Sequence, residues 1–298
     1  MSLVPRDEAL VRAMPVVFVL IWSTGFIVAR YAMPHAPPFK FLALRFALSI
    51  LCFLPWIWLS GARWPVGPVQ WLHLAVSGVL MHAAYLGGVW AAVKAGMGSG
   101  VSSLIVGLQP VITALWLWYA GSAVSRRQWL GLALGFAGLA LVVSRKFSQG
   151  IVNDHVDWVN LSMAVTALLA ITAGTLYQKR HVRTSDVRTA NVVQLGAALA
   201  LMLPLAAFET EAMHWSTELV GAMAWSVLGL TLGGSSLLYL LIQRGAATVV
   251  TSLLYLVPPC AAVMAWALFD EPITTTTLMG TGLTAVGVFL VVRAPKLH

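Results

Sequence analysis

Gly96–Pro110 reads GMGSGVSSLIVGLQP, and Gly245–Pro259 reads GAATVVTSLLYLVPP. The offset between these two uncharged stretches, 149 residues, is half of the 298-residue chain, and it superposes the halves without a gap. Four further pairs match at this offset: Gly25 with Gly174, Pro55 with Pro204, Gly131 with Gly280 and Gly138 with Gly287. Because glycine and proline mark backbone geometry, the matches predict a structural repeat, with residues 1–149 as the first unit and 150–298 as the second.

The composition excludes a water-soluble globular protein. Hydrophobic residues make up 59% of the chain and charged residues 9%, whereas soluble domains carry about 25% charged residues. The net charge of +8 falls in short loops between apolar runs, so we expect contacts with anionic lipid head groups and none with nucleic acid. Cys52 and Cys260 lie far apart in apolar segments, which predicts neither a disulfide nor a metal site. No cofactor is expected.

Apolar runs of about 20 residues recur along the whole chain, and each is long enough to cross a hydrocarbon core about 30 Å thick. They lie at roughly 13–33, 39–60, 69–93, 98–119, 128–145, 157–178, 188–208, 218–242, 246–268 and 276–293. The first run is too long for the core of a signal peptide and is predicted to be retained. The sequence therefore predicts an all-α polytopic membrane protein with ten transmembrane helices.

The number of spans sets the orientation of the two units. Five spans in each half is an odd number, so the second half must cross the membrane in the opposite sense to the first. Inverted repeats of this kind support alternating access about a site near the midplane, although a channel can be built in the same way. With a cytoplasmic N-terminus, twelve of the eighteen Lys and Arg residues lie on the inside. Positive-inside counting therefore places both termini in the cytoplasm.

Polar side chains at helical spacing on apolar helices mark candidate walls of a substrate cavity. His82 and Tyr85 share a face of the third span, and Trp22 lies near the centre of the first. For the hydroxyl residues, hydrogen bonds to carbonyls of their own helix are the alternative. For His82, the alternative is a neutral imidazole bonded between helices. The predicted cavity residues are Trp22, Gly78, His82, Tyr85, Ser102, Gln109, Ser236, Tyr239, Ser252 and Tyr255.

The positions of charged residues and tryptophans along the predicted spans indicate their depth in the membrane. All ten carboxylates lie in loops or at helix ends, so an embedded carboxylate relay for protons is absent, and His82 is the candidate if protons are coupled. Arg45, Lys94 and Arg244 are near enough to helix ends that we expect their side chains to snorkel to the interface. Seven tryptophans at span ends are expected in the interfacial belt: Trp56, Trp58, Trp64, Trp71, Trp129, Trp158 and Trp215.

Three stretches carry a resemblance to a known family: IWSTGF at Ile21–Phe26, LQPV at Leu108–Val111, and FDEPIT at Phe269–Thr274 followed by Gly280 and Gly287. In these stretches the chain resembles the ten-helix EamA-type branch of the drug/metabolite transporter superfamily. Within that superfamily it is most similar to the aromatic amino acid exporters of bacterial inner membranes. Aromatic residues carry this narrower resemblance: Trp22, Tyr85, Trp90, Tyr239 and Tyr255.

The resemblance implies an inner-membrane exporter of amino acids, aromatic and other apolar ones, that works by alternating access. Without an embedded carboxylate, we expect facilitated diffusion and weak affinity, on the order of millimolar. Another metabolite, such as a nucleoside or a lipophilic cation, and proton coupling stay open. An intramembrane enzyme is disfavoured because the sequence lacks GxxxxGK[ST] and HExxH, and Gly233–Ser236 lacks partners that would activate a serine. The sequence does not fix the oligomeric state.

Overall fold

The computed structural model describes residues 5–121, 125–149, 155–182, 185–237, 256–271 and 273–292. Throughout these ranges the regular secondary structure is helical, which confirms the predicted all-α class. The α-helices are α1 (Pro5–Ala32), α2 (Pro38–Ser60), α3 (Pro68–Gly78), α4 (Tyr85–Lys94), α5 (Ser99–Val106), α6 (Gln109–Tyr119), α7 (Arg126–Gln149), α8 (Trp158–His181), α9 (Val187–Phe208), α10 (Thr217–Trp225), α11 (Val257–Phe269) and α12 (Thr275–Val292). Two π-helical segments join them: π1 (Val79–Ala84) links α3 to α4, and π2 (Ser226–Ser235) continues α10.

Many of these helices are long and apolar enough to cross a bilayer. Six stretches meet both criteria within the described ranges: Pro38–Ser60, Pro68–Lys94, Ser99–Trp116, Arg126–Ser144, Trp158–His181 and Val187–Phe208. Shorter apolar helices occupy Val16–Ala32, Val257–Phe269 and Thr275–Leu290. The chain is therefore a polytopic membrane protein. Ten spans stay a prediction, since the expected spans at 218–242 and 246–268 fall partly outside the described residues.

Several helices begin with a proline. A proline fits in the first turn because the N–H group that it lacks would have no partner within the helix in any case. The fourth predicted span is broken into α5 and α6, and Pro110 lies in the first turn of α6. Pro258 lies in the first turn of α11. Gly107, at the break, packs against this second proline: a Cβ there would come within 2.7 Å of Pro258 Cγ. The two proline-marked helix starts therefore meet inside the bundle.

Glycines allow α7 and α12 to approach closely. A Cβ on Gly138 would clash with the carbonyl oxygen of Gly280, and one on Gly287 would clash with that of Gly131. Positions later in α7 thus meet positions earlier in α12, so the two helices run antiparallel. Small residues at such contacts increase the van der Waals packing that holds membrane helices together.

The helices α2 and α9 form a second antiparallel pair. At one end, the Glu209 carboxylate accepts hydrogen bonds from the backbone N–H groups of Phe39 (2.9 Å) and Lys40 (2.8 Å), so the end of α9 caps the start of α2. At the other end, the Thr189 hydroxyl donates to the Arg63 carbonyl oxygen (2.9 Å). These contacts fix both ends of the pair.

Side-chain exposure follows the expected membrane pattern. Every one of the seven tryptophans expected in the interfacial belt is exposed on the protein surface. Trp90, in contrast, is the largest fully buried side chain among the described residues, in a core contributed mainly by α1, α2, α4, α8, α9 and α10. Cys52 and Cys260 are both free thiols.

The close contact between α7 and α12 makes Gly287→Ala destabilising. The added methyl group would meet the Gly131 carbonyl and the Gly135 backbone, and overpacking of this kind costs about 1–3 kcal/mol. We expect a lower midpoint of thermal unfolding in detergent micelles. Gly282→Ala is the matched control on the same helix, because a Cβ at Gly282 meets no atom within 4 Å. Equal midpoints for the two variants would contradict this packing.

Candidate functional site

A cavity lies in the middle of the bundle, enclosed by α1, α2, α4, α8, α9 and the two π segments. Aromatic and aliphatic side chains form most of its wall, and polar side chains are concentrated in a few places. The residues that line it are Trp22, Gly25, Phe26, Arg45, Met81, His82, Tyr85, Leu86, Val89, Trp90, Ile171, Gln178, Asn191, Gln194, Leu230 and Ser235.

Three of the predicted cavity residues line this space together: Trp22, His82 and Tyr85. Tyr85 is 4% exposed, and the Trp22 indole lies near its hydroxyl. His82, in π1, lies within hydrogen-bonding reach of the Gln194 side chain. The predicted helix face therefore turns into the cavity, with His82 close to the Gln194 side chain of α9.

Four other predicted residues lie outside the lining. A Cβ on Gly78 would clash with the backbone of Gln194, so Gly78 marks the crossing of α3 and α9. Gln109 Nε2 donates to Thr175 Oγ1 at 3.0 Å. Ser102 and Ser236 are buried, and their hydroxyl groups have no hydrogen-bond partner in the described part of the chain. The remaining three lie outside the described residues: Tyr239, Ser252 and Tyr255.

Arg45 lines the cavity, and the expectation that its side chain snorkels is wrong. The residue is only 5% exposed, and its Nε and Nη2 groups donate to Thr231 Oγ1 at 3.3 and 3.2 Å. Its guanidinium carbon lies 5.8 Å from the Trp90 ring centroid, and Trp90 stacks on Phe41 with ring centroids 4.5 Å apart. Arg45 follows the start of α2 by seven residues, about 10 Å at 1.5 Å per residue, on a face turned away from lipid.

The segment π2 positions the hydroxyl group that holds Arg45. Thr231 Oγ1 donates to the Ser226 carbonyl oxygen at 2.9 Å, five residues earlier in the chain. A π-helical turn carries an extra residue, and such turns occur often at functional sites. With its hydrogen donated to Ser226, the hydroxyl oxygen presents its lone pairs to the guanidinium group.

Side-chain amides occupy the opposite end of the cavity. Gln194 Nε2 donates to Ser77 Oγ at 2.9 Å and to Gln178 Oε1 at 3.2 Å. Gln178 lies three residues before the end of α8, and Asn191 lies four residues after the start of α9. The cavity thus reaches within about one helical turn of the ends of α8 and α9 that are predicted to face the cytoplasm.

None of the described carboxylates lines the cavity. Three of them cap helices instead: Glu209 caps α2, Asp157 caps α8 and Asp186 caps α9. The backbone N–H groups of Asn160 and Val159 hold the pKa of the Asp157 carboxyl below its ordinary value. The Glu271 carboxylate accepts from the Ser99 backbone N–H at 3.1 Å, at the start of α5. These positions agree with the expectation that acidic side chains stand at helix ends.

Comparison with known proteins gives the family context of this cavity. The EamA-like transporter family matches residues 13–144 and 158–293. An uncharacterized transporter of Bacillus subtilis, YvbV, is 24% identical over 284 residues, which cover 92% of this chain and 88% of that protein. A probable amino-acid metabolite efflux pump of Salmonella typhimurium is 24% identical over 283 residues, which cover 91% of each chain.

Two further likenesses concern the membrane and the fold. The uncharacterized inner membrane transporter YedA of Escherichia coli K12 is 22% identical over 275 residues, which cover 91% of this chain and 87% of that protein. A solved protein structure with 18% sequence identity matches with a TM-score of 0.66 and covers 93% of this chain and 95% of that chain. At this identity the structural likeness shows a shared fold.

Substitutions on the cavity wall should alter transport while the protein stays folded. Tyr85→Phe removes a hydroxyl group from the cavity wall, and the loss of one hydrogen bond to the substrate, about 1 kcal/mol net, should lower the exchange rate roughly fivefold. His82→Gln should also change the rate, because it replaces a side chain at the Gln194 contact. The measurement is exchange of labelled substrate across proteoliposome membranes.

Ser102→Ala is the matched control for these variants. Ser102 is buried outside the lining, and its hydroxyl has no partner among the described residues, so its removal should leave exchange unchanged. Wild-type exchange rates in both the His82 and the Tyr85 variants would contradict the cavity assignment.

Proposed function

The chain belongs to the EamA-like transporter family, and from this premise we propose that it exports amino acids, mainly aromatic and other apolar ones, across a bacterial inner membrane. The observation that carries the proposal is the central cavity, whose aromatic wall and separate polar groups suit an apolar side chain and a zwitterionic head. The probable amino-acid metabolite efflux pump among the relatives supports this substrate class. The inner membrane transporter YedA supports the location.

The proposed architecture is ten spans in two inverted five-helix units, residues 1–149 and 150–298. A shift of 149 residues carries Pro38–Ser60 onto 187–209, where α9 lies, and Arg126–Gln149 onto 275–298, where α12 begins. Each of these helices packs antiparallel against its equivalent in the other unit, as inversion requires. The match of the family to two separate stretches of the chain agrees with the same division.

Finer details obey the same symmetry. Under the shift, π1 falls on residues 228–233, which lie inside π2. Gly131 is equivalent to Gly280 and Gly138 to Gly287, so the Gly138–Gly280 and Gly131–Gly287 contacts are the two copies of one contact. Two similar units in opposite orientations can exchange their conformations, and this exchange is the basis of alternating access.

The described conformation resembles a state closed on the predicted outer side. The stacked rings of Phe41 and Trp90 lie beneath the outer loops. Above them, Lys94 Nζ pairs with Glu211 Oε1 at 2.6 Å and donates to the Met33 carbonyl oxygen at 2.9 Å. We infer that substrate enters past Gln178 from the cytoplasm and leaves when these outer contacts separate, with both termini in the cytoplasm.

Counterflow in proteoliposomes tests the substrate class. Vesicles loaded with unlabelled tryptophan or phenylalanine should accumulate the labelled amino acid transiently, because a carrier exchanges internal unlabelled substrate for external labelled substrate without an ion gradient. Vesicles without protein are the control. Exchange of nucleosides or lipophilic cations with no exchange of amino acids would contradict the proposal.

The cavity wall contains no carboxylate among the described residues, which supports facilitated diffusion without proton coupling. Uptake of labelled amino acid should therefore proceed with no ion gradient, and dissipating a pH gradient with an ionophore should leave the initial rate unchanged. A strict requirement for a pH gradient would overturn the uniport mechanism. In that case, transport by His82→Gln that no longer depends on the pH gradient would assign the proton coupling to His82, the ionisable imidazole in the cavity wall.

A further inference from the structure

Arg45 is a buried cation without an acidic partner in the described part of the chain. Its guanidinium bonds to the Thr231 hydroxyl and lies over the Trp90 ring, and the ion pairs within the described ranges do not include it. The sequence places every carboxylate in a loop or at a helix end. Because burial of an uncompensated charge is costly, a lone cation facing a cavity points to an anion that arrives from outside the protein.

The contacts of Arg45 leave the donor groups that such an anion needs. A guanidinium group carries five N–H donors in a planar fork. The Nε–H and one Nη2–H point to Thr231 Oγ1, so three N–H groups have no partner among the described residues. Trp90 packs over the guanidinium group, and the remaining N–H groups can bind an anion in the cavity. This arrangement suits two parallel hydrogen bonds to the oxygens of one carboxylate.

We propose that Arg45, oriented by Thr231 and Trp90, binds the carboxylate of the transported substrate. This inference rests on the proposed function and narrows it: the substrates are carboxylates that carry an apolar or aromatic group. An ammonium group meets no buried carboxylate among the lining residues, so it contributes less to recognition. Lipophilic cations are excluded, because they would be repelled by the guanidinium charge in a medium of low dielectric constant.

The aromatic part of the substrate has its own place in the same cavity. Trp22, Phe26 and Leu230 line the wall together with Tyr85, and Leu230 lies next to Gly25, where its methyl groups would be in ordinary van der Waals contact with a Cβ, at 3.7 and 3.9 Å. A ring can therefore pack on apolar wall while its carboxylate bonds to Arg45. The required ligand is an amphipathic monocarboxylate.

Three indole compounds test the carboxylate and the ammonium group of the substrate separately. Tryptophan carries both groups, indole-3-propionate lacks the ammonium group, and tryptamine lacks the carboxylate. In counterflow with wild-type protein, we expect tryptophan and indole-3-propionate to exchange and tryptamine to exchange at least about tenfold more slowly, which is the usual effect of losing a charge-assisted hydrogen bond. Equal exchange of all three by the wild-type protein would overturn the inference with no variant needed.

Variants then assign the recognition to Arg45. Arg45→Gln should reduce tryptophan and indole-3-propionate exchange by at least about tenfold and abolish the preference over tryptamine. Arg45→Lys should retain part of the preference, because lysine keeps the charge and loses the planar fork. Thr231→Val should raise the concentration of tryptophan for half-maximal exchange, because it releases the guanidinium group from its anchor.

Arg30→Gln is the matched control. Arg30 also lies 5.8 Å from the centroid of an aromatic ring, that of Phe269, but it is absent from the cavity lining. Exchange by this variant should equal that of the wild type. A purely structural role for Arg45 would lower the exchange of all substrates in the same proportion and leave the preference intact.

The outcomes distinguish the two proposals. If the wild-type protein exchanges none of the amino acids, the proposed function fails and this inference fails with it. If it exchanges tryptophan while Arg45→Gln keeps its preference for carboxylates, the exporter stands and the assignment to Arg45 is wrong. If Arg45→Gln does not fold, the wild-type protein tests the carboxylate requirement: indole-3-propionate should raise its midpoint of thermal unfolding, and tryptamine should not. Thr231→Val then tests whether the carboxylate binds at Arg45.

Discussion

The cost of placing a polar group in hydrocarbon governs this molecule. Helices satisfy their own backbone hydrogen bonds, and the carboxylates of Asp157, Asp186, Glu209 and Glu271 lie at helix ends, where backbone N–H groups bind them. The Gln194 amide of α9 donates to the Ser77 hydroxyl of α3 and to the Gln178 amide oxygen of α8. Arg45 alone among the described residues brings a full charge into the wall of the central cavity, and its hydroxyl and aromatic neighbours compensate that charge only in part. The substrate carboxylate that we propose would complete the compensation.

The packing of α2 against α9 and of α7 against α12 would couple a movement of the proposed units to the central cavity. The pairs α2–α9 and α7–α12 join the proposed units, the first with hydrogen-bonded ends and the second with close glycine contacts. The cavity lies beside the first pair, since Arg45 belongs to α2 and Gln194 to α9. Thr231 and His82 stand on π-helical segments, whose extra residue alters the direction of side chains. A rotation of one unit against the other would therefore change the Arg45–Thr231 contact and the amide cluster together.

Sequence patterns were informative wherever a local rule decides the outcome. Apolar runs predicted the helices, and position near span ends predicted the exposed tryptophans; the break between α5 and α6 lies inside a run that was predicted as one span. Faces of helices were harder to predict, because packing of the whole bundle decides them. The face with His82 and Tyr85 turns into the cavity, whereas Gly78 meets α9 and Gln109 meets Thr175. The inward position of Arg45 could not be predicted from its distance to a helix end, because it depends on the neighbouring positions. Phe41 and Ser49, one turn away on either side, are both buried. The π segments carried no local signal that was recognised.

The most direct test is a structure of the protein with tryptophan bound. The account predicts that the ligand occupies the central cavity, with its carboxylate oxygens about 2.7–2.9 Å from the Arg45 guanidinium nitrogens and its ring against the wall formed by Trp22, Phe26 and Leu230. Tryptophan bound in this cavity with its carboxylate directed away from Arg45, or bound only at the lipid-facing surface, would contradict it.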